Sequence, residues 1–442
     1  MTNRALSGRV RWIGACVALS AADRRALFDR ASWSGDDGIR ARTAAIVARV
    51  CRGGDAALRA LATEFDGVTL DALEVPAARC VAALDGLDPA LRRAMERAAN
   101  NIRRVHQGFL PATQEVESEP GIVVGRRPDP LGRVGVYAPG GRAAYPSSVL
   151  MGVVPARVAG VGEIIVCSPP GRDTGLPADV VLAAAALAGA HRVFALGGAG
   201  AIAALAYGTE SVPRVDRIVG PGNAYVAEAK IQVASAVAID SPAGPSELLV
   251  LADASADPQL IAREMLAQAE HDPLAAVVAV VTSEDLANSV LRSLDELMPS
   301  QPRADIVAAA LRGQGAVLWA DSLDSAITFA NEYAAEHLLL VVASPDAVLA
   351  RLRNTGTVFV GTYASVAFGD YMTGANHVLP TGGLARSYSG LSTLDFFRWT
   401  TYQRVTRDAA ARLSEDVGVF ADAERLGGHA LAARAWRQAA LV

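Results

Sequence analysis

Four Val/Ile-rich stretches, Arg133–Tyr137, Glu163–Cys167, His191–Leu196 and Arg217–Gly220, are each followed by an Ala-rich segment with helical spacing. Short apolar runs that alternate with helices imply crossover connections, and crossovers make neighbouring strands parallel. Helices then cover both faces of the sheet, so the runs are apolar throughout. A second alternation follows, with Glu247–Ala252, Ala275–Val281, Ala316–Trp319, His337–Val342 and Thr357–Val360 separated by helical patterns. The chain is therefore read as α/β: two Rossmann-like parallel-sheet domains with a helical N-terminal region and a helical C-terminal tail. The expected boundaries are an N-terminal helical arm at 1–24, a discontinuous first α/β domain at 25–131 and 247–390, a second at 132–246, and the tail at 391–442.

Composition narrows the function classes. The 442 residues suit two or three domains. Half of the chain is hydrophobic but only 5% is aromatic, so Ala, Val and Leu must do the packing. A formal charge of −5 leaves no basic excess to neutralise phosphates, which argues against nucleic-acid binding. Cys16, Cys51, Cys80 and Cys167 form no C-x-x-C pair, which suggests neither a sulfur zinc site nor a disulfide framework and fits a reducing cytoplasm. The stretch from Arg9 to Ala22 is read as an amphipathic helix and not as a signal peptide, because Gly14 and Ser20 interrupt its apolar run. No window reaches the roughly 18 uninterrupted apolar residues that would indicate a membrane span.

Several stretches carry chemistry. Gly198-Ala-Gly200 follows a strand and opens a helix, in the manner of a dinucleotide fingerprint, but no acidic residue ends the next strand to hold a ribose. Glycine turns at 138–141 and 220–223 also stand where strands end, as a cofactor crevice requires. A helix opening at Asp257-Pro258 is expected to carry Gln268 and His271 on one face, being three residues apart. That pair suits either a metal or a solvated polar face. Glu336-His337 sets a carboxylate beside an imidazole, a combination suited to two proton-transfer roles. Asp370, His377, Glu424 and His429 stand among polar or turn-forming neighbours further on.

With these residues in view, the chain resembles the histidinol dehydrogenase family, the zinc- and NAD-dependent enzymes that end histidine biosynthesis. The resemblance is carried by YPSSVLM from Tyr145, GTESVPRVDRIVGPGNAYVAEAK ending at Lys230, and AGPSELLVLAD from Ala243. It continues with QAEHD from Gln268, AAEHL from Ala334, GDY from Gly369, NHVLPT from Asn376 and ERLGGH ending at His429. It implies zinc ligands at Gln268, His271, Asp370 and His429, and an acid/base pair at Glu336 and His337. Substrate contacts are implied at Ser246, His337, Asp370 and Glu424 besides the zinc ligands. The implied NAD contacts are Tyr137, Asn223 and position 200, where Gly200 replaces a glutamine. Leu339 and Gly152 depart from an acid and an asparagine common in the family.

The implied reaction takes L-histidinol through L-histidinal to L-histidine with two NAD. The implied assembly is a homodimer in which each tail completes the partner's site. The departures leave a second reading, a related zinc/NAD dehydrogenase for another small polar alcohol, sulfonated or amino. A zinc- or ligand-binding protein without catalysis is disfavoured by the complete ligand set and the intact Glu336-His337 pair.

Overall fold

The computed structural model describes residues 10–30, 36–140 and 144–439. At the middle of its first sheet lies one of the least polar runs of the chain, AVVAVV, all six residues buried. This sheet has six parallel strands: β1 (Trp12–Ala15), β10 (Glu247–Ala252), β11 (Ala276–Val281), β12 (Gly315–Trp319), β13 (His337–Val341) and β14 (Thr357–Val360). Their order is β1-β12-β11-β10-β13-β14. Side chains alternate across it with the period of two that a strand imposes. Leu249, Leu251, Val278 and Val280 pack into one helical layer with Leu27, Phe329 and Tyr333. Leu248, Val250, Val277 and Ala279 pack into the other, with Ile261, Met265 and Leu266 of the helix Pro258–Ala269. Each fully buried Leu or Val contributes roughly 1.5–3 kcal/mol, which holds both layers on the sheet.

The second six-stranded sheet takes β2 (Glu74–Val75), β5 (Arg133–Tyr137), β6 (Glu163–Ser168), β7 (Arg192–Ala195), β8 (Arg217–Val219) and β9 (Ala238–Ile239). Its order is β2-β7-β6-β5-β8-β9, parallel except for β2 against β7. Both sheets lie in one compact unit, residues 1–109 and 131–396. A second unit, 110–130 and 397–442, holds the antiparallel sheet β15-β4-β3, made of β3 (Gln114–Glu119), β4 (Ile122–Pro130) and β15 (Phe397–Val405), and the helices Arg407–Ala423 and Gly427–Ala439. No helix among the described residues is long and apolar enough to cross a membrane.

The strands of both α/β alternations form close to their expected limits, but three expectations need correction. Of the arm expected at 1–24, residues 1–9 lie outside the described part and the rest is not helical throughout: Trp12–Ala15 is strand β1, paired in parallel with β12. Hydrogen bonding to the sheet edge overrides a spacing that reads as amphipathic helix. Residues 25–131 do not group with the first sheet as a block. The helix Asp37–Leu61 packs on Gly198–Tyr207 and Ala224–Val233, Ala77–Asp85 on Asp179–Ala188, and Pro89–Gly108 on Pro146–Ala159, all helices flanking the second sheet. Residues 110–130 belong to the second unit. The tail from 391 is not wholly helical, because β15 pairs with β4 from Phe397↔Pro130 to Val405↔Ile122. That strand is mostly exposed and polar, so it shows no apolar run to betray it.

One departure finds its cause in packing. Gly152, in the helix Pro146–Ala159, faces β5 so closely that a Cβ would lie 2.5 Å from Val136 Cγ1. Only hydrogen fits unless Val136 shifts. Gly152→Asn is therefore expected to lose about 1–3 kcal/mol of stability through overpacking, read as a lower urea midpoint. An unchanged midpoint would contradict this account.

Candidate active site

The helix Pro258–Ala269 starts at Asp257, whose Oδ1 accepts from the Gln259 amide at 2.8 Å, with Pro258 in the first turn. As the crossover after β10, it delivers its last turn near the starts of the strands. Gln268 lies in that last turn and is buried. His271 lies two residues beyond the helix end and is exposed, its amide 3.3 Å from the Gln268 carbonyl. The two were expected on one helical face. The structure instead places His271 in the turn after the helix, because the chain must bend at Asp272-Pro273 to enter β11.

At the starts of β10 and β13, side by side, stand Ser246, Glu247, Glu336 and His337, with Leu248 paired to His337. Glu336 Oε2 accepts from Ser246 Oγ at 3.0 Å and from the Glu247 amide at 2.7 Å. His337 Nδ1 lies 2.9 Å from the Glu247 carbonyl and 3.3 Å from Glu336 Oε2. Its Nε2 is buried without a hydrogen-bond partner and lies 3.8 Å from Asp370 Oδ1. Gly356 lets β14 come this close, since a Cβ there would fall 2.5 Å from the Glu336 carbonyl oxygen.

Asp370 belongs to the short helix Val366–Tyr371. Its neighbour Gly369 allows that helix onto Phe359, where a Cβ would meet the ring at 2.4 Å, and the Phe359 ring lies 5.9 Å from that of His337. The first amide of this helix, Val366 N, donates to Glu264 Oε2 at 3.0 Å, so the Gln268 helix and the Asp370 helix are tied together. His377, noticed in sequence but given no role, sets Nδ1 3.0 Å from the Asp370 carbonyl.

Electrostatics separate the two imidazoles. Burial acts to lower the pKa of His337, but the Glu336 carboxylate, Asp370 and the Glu247 carbonyl outweigh it and raise the group from its ordinary 6.5 to about 9. Burial holds His377 below its ordinary value, against the pull of Asp370.

The glycine turns of the second sheet stand at the carboxyl ends of its strands. Tyr137 is buried at the end of β5, and its hydroxyl accepts from the Gly198 amide at 3.1 Å. Burial pushes this phenol well up. Asn223 caps the helix Ala224–Val233, its Oδ1 accepting from the Tyr225 and Val226 amides at 3.1 Å each. The turn before it is fixed from beneath by the buried Lys230–Asp240 pair: Lys230 Nζ donates to the Gly220 carbonyl at 3.1 Å, and the Gly220 amide donates to Asp240 Oδ2 at 2.7 Å. Gly200 is buried in the helix Gly198–Tyr207, where a Cβ would lie 3.1 Å from Leu61 Cδ1 and 3.6 Å from Leu58 Cδ2. The space a side chain would take at position 200 is thus bounded by leucine methyls.

Glu424 and His429 belong to the second unit, at the turn between its two helices and in the first turn of the last helix, both exposed. The structure brings Ser246, Glu336, His337 and Asp370 together and ties the Gln268 helix to them. It does not assemble the full four-residue ligand set: among the described residues, no three His, Cys, Asp or Glu side chains converge to hold a metal. The residues present nevertheless fit a metal in one respect. The Gln268 side-chain nitrogen is buried without a partner, and turning the amide over puts a carbonyl oxygen there, a donor that zinc accepts.

The sequence profile of the family described as histidinol dehydrogenase matches residues 30–437. A histidinol dehydrogenase of Natronomonas pharaonis is 49% identical over 419 residues, 95% of this chain and 98% of its own length. One of Methanosarcina barkeri is 46% identical over 94% of this chain and 95% of its own. A solved histidinol dehydrogenase from Elizabethkingia anophelis superposes with a TM-score of 0.93 at 31% identity, covering 98% of this chain and 99% of that one. The chain belongs to the histidinol dehydrogenase family.

Within the histidinol dehydrogenase family, the departure at Leu339 is also a matter of packing. Leu339 is buried in the same layer as Val250 and Val341, where a carboxylate would need a partner that these neighbours do not supply. Two residues of the site were missed in the sequence, Arg30 and Glu247. Glu247 lies inside the recognised AGPSELLVLAD block but reads there as the first residue of a strand, and Arg30 gives no signal because its partners are more than 200 residues away.

In the metal-free protein, His337 is expected to titrate near 9 in a histidine NMR titration and His377 below 6.5. The raised His337 value stabilises the fold fully below about pH 6.5, a contribution lost as pH rises through about 9. Glu336→Gln should bring the His337 midpoint down; an unmoved midpoint would refute the coupling.

Proposed function

We propose that this chain is a zinc-dependent histidinol dehydrogenase that oxidises L-histidinol through L-histidinal to L-histidine with two NAD. The observation that carries the reading is the buried Glu336–His337 pair beside the half-buried Ser246, with His337 Nε2 left unpartnered on the side of Asp370. Oxidising an alcohol to an acid requires two different proton tasks. The hydroxyl must lose a proton as its carbon gives up hydride, and the aldehyde must be hydrated before a second hydride can leave.

His337 serves the first task, since Nδ1 is engaged by the Glu247 carbonyl and Nε2 remains to take the proton. Glu336 serves the second, because Oε2 takes the contacts from Ser246 and the Glu247 amide while Oε1 remains to draw a proton from water. Gln268, His271, Asp370 and His429 would hold zinc, and Tyr137, Asn223 and the backbone at Gly200 would meet NAD. When bound, zinc supplies a charged anchor for the substrate's nitrogen donors and NAD supplies the hydride acceptor. Ser246, His337, Asp370 and Glu424 would orient the substrate. A dication at Asp370 offsets one of the charges that raise His337, which favours the neutral imidazole the reaction needs.

Glu424 and His429, exposed on the second unit, suit a homodimer in which the tail of one chain completes the site of the other. The departures at Gly152, Leu339 and Gly200 meet Val136, a buried apolar layer, and Leu58 with Leu61. As packing changes, they give no support to a different polar alcohol.

Purified, zinc-loaded protein given L-histidinol and NAD is expected to form two NADH per alcohol consumed. Turnover of other alcohols with none of histidinol would select the other substrate class. Glu336→Gln should lower the rate by about 10²–10⁴-fold. Replacing His429 with Ala should lower bound zinc, and unchanged metal content would overturn its assignment as a ligand.

A further inference from the structure

Directly behind the proposed acid/base pair lies a second buried carboxylate that the reaction does not use. Glu247 is 1% exposed, at the first position of β10. Its Oε1 accepts from the Gly382 amide at 2.6 Å and lies 3.0 Å from Arg30 Nε. Its Oε2 accepts from the Glu336 amide at 3.3 Å. Its own backbone faces the pair as well, the amide donating to Glu336 Oε2 and the carbonyl meeting His337 Nδ1. This one residue therefore touches both members of the pair and the end of the loop that carries His377.

Arg30 makes that arrangement possible. Its side chain is 3% exposed, just beyond the helix Ala21–Phe28. Nη2 donates to the Tyr333 carbonyl at 2.7 Å and lies 3.4 Å from that of Ala334, while the guanidinium lies 3.6 Å above the Tyr333 ring. Those carbonyls end the helix Leu323–Tyr333, where Ala334 turns left-handed at φ 55°, a conformation that costs a non-glycine residue energy and leads straight into Glu336 and His337. Arg30 thus meets Glu247 with one edge of its guanidinium and holds the strained turn with another.

We propose that Arg30 and Glu247 form a positioning pair for Glu336 and His337. The Glu247 backbone meets both side chains directly, its carboxylate fixes the Glu336 amide at the entry to β13, and Arg30 supplies the charge and the turn geometry that let that carboxylate remain buried. A buried ion pair of this kind is a weak stabiliser, because desolvation offsets most of the attraction. Its presence at the site follows from the geometry it imposes. The proposal rests on the acid/base reading of Glu336 and His337.

The test uses full-length, zinc-loaded protein carrying Arg30→Met, Arg30→Lys or Glu247→Gln. Arg30→Met and Glu247→Gln are expected to lower kcat for L-histidinol at least tenfold, with KM within about twofold and bound zinc unchanged. Arg30→Lys, which keeps the charge, is expected to recover most of that loss. A kcat within twofold of the unsubstituted protein overturns the proposal, as does a fall in kcat accompanied by equal losses of zinc and substrate binding, which marks general damage.

If Arg30→Met does not accumulate as folded protein, Glu247→Gln carries the same criteria at nearly the same side-chain volume. A second arm does not depend on turnover: in a crystal structure of Glu247→Ala, where the Glu336 amide loses its side-chain acceptor, the backbone from Ala334 to Glu336 should shift. That backbone unmoved would sink the proposal. A protein that fails to oxidise histidinol, yet shows the backbone shift, would count against the proposed function and not against the positioning pair.

Discussion

A carboxylate taken out of water must find donors or a counter-charge, and at the starts of β10 and β13 two carboxylates are taken out together. Glu336 and Glu247 are both buried, and backbone amides of adjacent strands reach across to them: Glu247 N to Glu336, and Glu336 N to Glu247. This reciprocal arrangement exists only because the strands are parallel, adjacent and in register, with Leu248 opposite His337. Ser246 and Gly382 supply further donors, and Arg30, from near the start of the chain, supplies a counter-charge. The site is thus a consequence of sheet register, and a slip of one residue would turn His337 toward the opposite face.

The same register explains where the chemistry sits. Ligands of open parallel sheets bind beyond the carboxyl ends of strands, where amides and helix starts are exposed. The cofactor residues proposed on the second sheet lie where that rule puts them, with Tyr137, Gly198 and Gly220 at or just after strand ends. The site residues proposed on the first sheet do not: Ser246, Glu336 and His337 are at strand starts, and Gln268 is at the end of a returning helix. Helix starts favour anions, whereas a helix end presents carbonyls and favours cations. A cationic metal and a protonated amine therefore suit the first edge, and the phosphates of a dinucleotide suit the second.

What could be read in the sequence divides along the same physical line. The buried strands were legible because a strand covered on both faces must be apolar along its whole length, as in Ala276–Val281. β1 and β15 were not, because an edge strand and a largely exposed strand carry no such run, and their partners lie hundreds of residues away. Glu336 and His337 were legible as neighbours in sequence. Arg30 and Glu247 were not, since their contact joins the end of an N-terminal helix to a strand more than 200 residues later. The last turn of the Gln268 helix was half legible: the spacing to His271 is helical, but Pro273 and the entry to β11 end the helix at Ala269.

The departures from the family pattern can be weighed in the same terms. Gly152 would need Val136 to move before any side chain fitted, and Leu339 faces Val250 and Val341 in a layer without polar partners. Gly200 faces Leu58 and Leu61, so the loss of a polar side chain there is matched by an apolar surface on the opposing helix. An unmatched polar-to-apolar change would leave a buried donor or acceptor stranded, at a cost of about 1–3 kcal/mol. No buried side-chain polar atom of Leu58, Leu61, Val136, Val250 or Val341 exists to be stranded. The three departures are accommodated by the packing around them, whereas the residues proposed to act on the substrate, Ser246, Glu336, His337 and Asp370, are held by hydrogen bonds and charge, which no apolar replacement can supply.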